Sequence, residues 1–214
     1  MNLTRQIQFL FETYSEDTIR YDITEQSDTK LLGESLGKLF LESFKTGTPV
    51  KGMYVFGRIG MGKTVLSTAI INSFENTKDL LIDVKHRVDY RYYDTYPACH
   101  HVDYYRFGRT NFPCNEQIQL KENEMIIAEW ADNLIKRNKL YFEEDRIDIE
   151  LYHCFDKKNI CKELSTSVFN KNITSEGSMR FASLVGYGNG IRVIKKLKED
   201  KNLQHMIVDP AELN

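Results

Sequence analysis

The chain has 214 residues, enough for one sizeable core with room for an appendage. Its 29 basic and 31 acidic residues leave a net charge of −2, which excludes a global field drawing it to nucleic acid or membrane. Four cysteines without a CxxC pair argue for reduced thiols, no segment has the length of a membrane span, and acidic Glu12, Glu16 and Asp17 argue against a transit peptide, so a cytoplasmic location is expected.

Ile7, Leu10 and Phe11 lie at helical spacing within Leu3–Tyr14, and Ile19–Thr24 alternates like a strand. From Ser27 the apolar stripe Leu31, Leu32, Leu36, Leu39, Phe40 and Phe44 predicts a helix, ended by Gly47 and Pro49. Ser27 with Lys30 makes only a weak cap, because a capping box wants Glu or Gln at the later position. Met53–Phe56 reads as a buried strand and Val65–Ile71 as a helix. Further strands are expected over Asp79–Tyr93, Cys99–Tyr105 and Met125–Ala128. Asp145–Phe155 alternates through Ile147, Ile149 and Leu151, as a half-buried strand at the sheet edge would. Phe181–Val185 is a strand or a short helix, and Tyr187–Asp200 ends in a helix of alternating charge. The expected organisation is an N-terminal helical extension over 1–18, an α/β domain over 19–155 and a C-terminal appendage over 156–214.

Between the Met53–Phe56 strand and the following helix stands Gly57-Arg58-Ile59-Gly60-Met61-Gly62-Lys63-Thr64, which fits the phosphate-binding pattern G-x-x-x-x-G-K-[ST]. Three glycines let successive backbone N–H groups converge on one anion, and the helix from Val65 brings its positive end beneath the phosphates. Lys63 would place a charge near the β- and γ-phosphates, and Thr64 a hydroxyl on Mg²⁺. The residues imply binding of a nucleoside triphosphate.

Acids at the carboxyl ends of other strands decide the fate of a bound nucleotide. His101-Val102-Asp103-Tyr104-Tyr105-Arg106 closes one strand, and Glu129-Trp130 closes another. In an open α/β sheet both acids fall on the edge that carries the phosphate loop. One carboxylate would hold Mg²⁺ and the other orient or deprotonate a water, unless Glu129 merely ends its strand. Cys99, His100, His101 and Asp103 are metal-ligand types, but the second cluster that a zinc site needs is missing. Tyr90, Tyr92, Tyr93, Tyr96, Tyr104 and Tyr105 either stack on bases or pack on strands.

The phosphate loop, H-x-D-x-Y-R and E-W, in this order and spacing, resemble the TsaE family of ATPases required for threonylcarbamoyladenosine synthesis on tRNA. The resemblance starts at Thr24-Glu25-Gln26-Ser27-Asp28-Thr29 and runs to about Leu151. It implies a P-loop three-layer sandwich with a mainly parallel sheet and an antiparallel edge. It implies ATP and Mg²⁺ as cofactors, with Gly57–Val65 and Trp130 around the nucleotide and Thr64, Asp103 and Glu129 at the metal. Lys63, Asp103 and Glu129 would carry catalysis. His101 is either part of the site or a satisfied strand histidine, and Arg106 either stabilises phosphate or pairs with a carboxylate. A TsaB–TsaD-like complex would be the partner, with tRNA met through it and neither DNA nor membrane involved.

The family's Ser-Pro-Thr-Phe segment, whose threonine completes the Mg²⁺ site, has no counterpart in Ile82–Tyr90. Asp83 or Asp89 replaces it, or turnover is poor. Basic Lys85-His86-Arg87 is a solvated strand end or a contact for phosphate or RNA, and Met61 stands where a small residue is usual, narrowing the loop. Two other readings are a nucleotide-binding scaffold with little hydrolysis and an AAA-type helicase-loader ATPase. The second wants two acids after the apolar strand, where this chain has Glu129-Trp130, and sensor arginines in a helical lid, which are not found.

Overall fold

The computed structural model describes residues 17–77, 89–92, 94–105, 118–133, 142–154 and 179–208. The element order is β1 (Thr18–Asp22), α1 (Gln26–Lys45), β2 (Gly52–Gly57), α2 (Lys63–Asn72), β3 (Asp89–Tyr92), β4 (Ala98–Asp103), β5 (Glu124–Glu129), β6 (Arg146–Cys154), β7 (Met179–Tyr187) and α3 (Gly190–Glu199). A 3-10 turn, Gln204–Met206, comes after α3.

Helix α1 starts directly after a tight turn in which Asp22 Oδ1 accepts from the Thr24 N–H (3.0 Å) and the Thr24 hydroxyl (2.6 Å). Its N-cap is Glu25, so Ser27 lies inside the helix rather than capping it. The expected stop at Gly47 is a Schellman motif: Gly47 N–H donates to Phe44 O (3.2 Å), Thr48 N–H donates to Ser43 O (3.0 Å), and Gly47 takes φ +72°. Leu32, Leu36, Phe40 and Phe44 are buried, as their spacing predicts. Gly33 and Gly37, one turn apart, let α1 lie against α2; a Cβ on Gly37 would stand 2.5 Å from Ile70 O.

Seven strands form one sheet in the order β1-β7-β6-β2-β5-β4-β3. The central four, β6-β2-β5-β4, run parallel; β3 is antiparallel to β4 on one side, and on the other β7 is antiparallel to both β6 and β1. Ile147, Ile149, Met53, Val55, Met125, Ile127 and Cys99 meet Leu36, Phe40, Leu66, Ile70, Val193 and Ile194 of the three helices in one core. The other face buries Tyr54, Phe56, Val102, Ile126, Ala128, Tyr152, Phe181 and Val185 in a second cluster. The architecture is the expected α/β sandwich around a mainly parallel sheet.

Two expectations are corrected. The Asp145–Phe155 strand is not an edge: β6 pairs in parallel with β2 and antiparallel with β7. Its alternating polar residues Asp148 and Glu150 are buried on the second face, so the alternation did not mark a solvated side. The stretch from residue 156 is not wholly an appendage either. It supplies β7, which pairs with β6 over nine residues and with β1 over five, and α3, which closes the helix-side core. The strand expected over Ile19–Thr24 is β1, which joins the sheet beside β7. The Leu3–Tyr14 helix, Lys85-His86-Arg87, Asp83 and the Asp79–Val88 part of the expected strand fall outside the described residues.

Cys99 is a free, buried thiol. No helix among the described residues is long and apolar enough to cross a membrane.

Candidate nucleotide site

Register sets the site. Glu129 at the end of β5 lies level with Val55 on β2 and with Asp103 at the end of β4. The phosphate loop leaves β2 two residues later, so loop and acids share the carboxyl edge of the sheet as expected. Gly57, Gly60 and Gly62 take φ of +126°, +82° and +93°, which carry the chain around the loop and into α2 at N-cap Gly62. No side chain caps α2, leaving its first-turn N–H groups for an anion. Ile59 projects at the loop tip, 72 % exposed, whereas Met61 is buried in the helix-side core and does not crowd the loop. Val65 comes next on the first turn of α2.

Lys63 is buried, and its Nζ donates to Gly57 O (2.8 Å) and Arg58 O (2.5 Å) while sitting 3.7 Å from the centre of the Trp130 ring. Burial lowers its pKa to about 8 against the opposing charges of Glu129, Asp132 and Asp103. Trp130 holds φ +58°, unusual for a bulky residue, and its ring lies 4.6 Å from that of Tyr105. The turn is fixed by Ala131 N–H donating to Val55 O (3.2 Å) and by Asn133 Nδ2 donating to Tyr104 O (3.1 Å).

Glu129 is 2 % exposed. Its Oε2 accepts from the Thr64 hydroxyl at 2.8 Å, and its Oε1 lies 2.8 Å from His101 Nε2. Burial works to raise its pKa, but His101, Thr64 and Ser67 outweigh it and hold the carboxyl below its ordinary value. Asp103 is different. Burial raises its pKa, the Tyr105 N–H that its Oδ1 accepts (2.9 Å) lowers it, and Glu129 raises it further. The two neighbouring carboxyls are thus shifted in opposite directions from their ordinary values, Glu129 down and Asp103 up.

The structure brings Lys63, Thr64, Glu129 and Trp130 into one cluster and sets Asp103 on the adjoining strand end. Arg106 lies outside the described residues. Sequence reasoning left His101 undecided and missed Asp132, whose charge acts on Lys63, and Ser67, which supports Glu129. The signal for His101 was its place two residues before Asp103, which puts both on one face of β4.

Thr64, Asp103 and Glu129 offer only oxygen donors, a set that suits Mg²⁺. The 2.8 Å contact of Thr64 with Glu129 shows a hydroxyl and a carboxylate already held together. Among the described residues no group of three His, Cys, Asp or Glu forms a metal cluster by itself.

A central parallel strand running through G-x-x-x-x-G-K-T into a helix, with a carboxylate of the next strand on the motif threonine, defines a P-loop nucleotide-binding protein. The family model described as threonylcarbamoyl adenosine biosynthesis protein TsaE matches residues 23–160. The chain belongs to the TsaE family, and so to threonylcarbamoyladenosine modification of tRNA. Among solved structures, the crystal structure of Bacillus subtilus YdiB superposes with a TM-score of 0.51 at 12 % identity, covering 85 % of this chain and 95 % of that one, a likeness of fold. None of the curated proteins matches the sequence.

Proposed function

We propose that this chain binds Mg-ATP between the phosphate loop and the acidic strand ends and hydrolyses it. The turnover serves threonylcarbamoyladenosine synthesis, with TsaB- and TsaD-like proteins as partners and tRNA engaged through their complex. The observation that carries the reading is the Thr64–Glu129–His101 chain of contacts beside Lys63. These residues join the two halves of a phosphoryl-transfer site, one on the loop and one on the sheet.

Lys63 leaves the Gly57 and Arg58 carbonyls to meet the phosphates, where its charge offsets theirs. Thr64, Glu129 and Asp103 would hold Mg²⁺, which supplies neutralisation of the phosphate oxygens when bound. Asp103, whose carboxyl burial shifts above its ordinary value, accepts the proton of the attacking water. Glu129, held ionised, orients that water and keeps Thr64 in place. Trp130 and Tyr105 wall the site on the sheet side.

The test is Mg-dependent ATP hydrolysis by the wild type and by Glu129→Gln, with and without cognate TsaB and TsaD. Expected is partner-stimulated turnover that falls by about 10²–10⁴-fold in the variant while ATP still quenches Trp130, the sole tryptophan. Absence of turnover in every mixture refutes the hydrolytic reading and leaves a nucleotide-binding scaffold.

A further inference from the structure

His101 lies on β4 level with Ile127 of β5, among Cys99, Met125 and other apolar side chains of the helix-side core. Its side chain is 1 % exposed. A ring in such a place fills space, and an apolar residue would do so without burying two polar nitrogens. Nε2 has a partner, Glu129 Oε1 at 2.8 Å, whereas Nδ1 is buried with no hydrogen-bond partner among the described residues. The cost of that orphaned nitrogen is what a purely packing role does not explain.

The partner supplies the explanation. Glu129 Oε2 accepts the Thr64 hydroxyl at 2.8 Å, and Oε1 faces His101 Nε2 at 2.8 Å. An ionised carboxylate only accepts, so the hydrogen on the His101 side of the contact sits on Nε2. With one oxygen tied to a strand residue and the other to the first turn of α2, the carboxylate has one orientation left. Without His101, Oε1 is buried and unsatisfied, and nothing on the strand holds the carboxylate in that orientation.

We infer that His101 is a positioning residue for hydrolysis, donating Nε2–H to Glu129 so that the other carboxylate oxygen stays aimed at Thr64 and the attacking water. The inference rests on the hydrolytic reading above. His101 acts through Glu129.

The experiment is steady-state kinetics on the full chain with its cognate partners, comparing wild type with His101→Leu, His101→Gln and His101→Asn. Nucleotide affinity is read from Trp130 fluorescence in the same samples. Expected for His101→Leu is a fall in kcat of about 10–100-fold. KM and nucleotide affinity should stay within about twofold, as for a loss confined to the transition state. Gln places an N–H near the position of Nε2 and should recover most of kcat, while the shorter Asn should not. Wild-type turnover matched by His101→Leu overturns the inference and leaves the function intact. Loss of affinity, kcat and melting temperature together in all three variants, Gln included, also overturns it, because that is the signature of packing. A wild type without turnover overturns the hydrolytic reading and this inference with it. Nitrogen NMR of the His101 ring gives a readout independent of turnover: a hydrogen on Nε2 agrees, and one on Nδ1 alone refutes the donor assignment.

Discussion

Replacing Gly57 and Gly60 in turn by alanine separates two reasons for glycine in the phosphate loop. Both have positive φ, +126° and +82°. A Cβ at Gly60 meets nothing within 4 Å, so Gly60→Ala costs only the backbone strain of a left-handed L-residue, about 1–2 kcal/mol. A Cβ at Gly57 stands 2.3 Å from the Leu151 carbonyl oxygen and 3.2 Å from its carbon. That oxygen belongs to backbone paired in register with Gly57 in the β2–β6 ladder, so it cannot turn aside as a flexible side chain would. Overpacking adds about 1–3 kcal/mol to the strain, for a total of about 2–5 kcal/mol at Gly57. Urea unfolding followed by circular dichroism reads both losses on one scale, with unchanged m values confirming that only stability moved. Equal destabilisation by the two substitutions would refute the claim that close backbone approach, rather than dihedral freedom alone, fixes Gly57.

The buried charges lead to further expectations. Lys63 has a pKa lowered to about 8, so nucleotide affinity should weaken as pH rises through that value, and Lys63→Ala should flatten the profile, both read by Trp130 fluorescence. The unfolded lysine keeps its proton to about pH 10, so the nucleotide-free chain gains stability over that interval. Asp148 behaves in the opposite sense. Burial raises its pKa to about 6 against Arg146, whose Nε donates to it at 3.1 Å. The folded chain then holds this proton more tightly than the unfolded one, and stability falls by about 3 kcal/mol as pH rises from about 4 to 6. Asp148→Asn should remove that fall; pH–stability curves that run parallel in variant and wild type would contradict it. Thr64→Val deletes the hydroxyl on Glu129 Oε2 at constant shape and should lower stability by about 1–3 kcal/mol, while Thr64→Ser keeps most of it in a thermal melt.

What the sequence revealed, and what it hid, divides along physical lines. The phosphate loop was legible because glycine, lysine and threonine at fixed spacing between a strand and a helix meet a backbone requirement few other sequences meet. The level placement of Asp103 and Glu129 was legible because parallel strands put their carboxyl ends on one edge. β6 differs from the half-buried edge strand that the alternation of Ile147, Ile149 and Leu151 predicts, because the intervening Asp148 and Glu150 are buried too. Nothing local reveals a buried carboxylate. β7 was ambiguous because Phe181-Ala182-Ser183-Leu184-Val185 is apolar without a period, the mark of a strand buried on both faces. His101 was undecided because its role depends on a partner 28 residues away on another strand.

The pairing of β1 with β7 has a consequence for how the chain is made. Thr18 finds its partner, Val185, only after more than 150 further residues have been synthesised. At ribosomal rates of about 5–20 residues per second, β1 waits roughly 8–33 s for its partner strand. During that interval Tyr21 and Ile19, which end in the helix-side core, have no finished sheet to enter. β6 likewise emerges with its β7-facing edge open. The nascent chain thus carries two strand edges that β7 covers in the finished sheet. A stall or premature stop before residue 179 would release a product prone to pairing with its neighbours rather than a smaller folded domain.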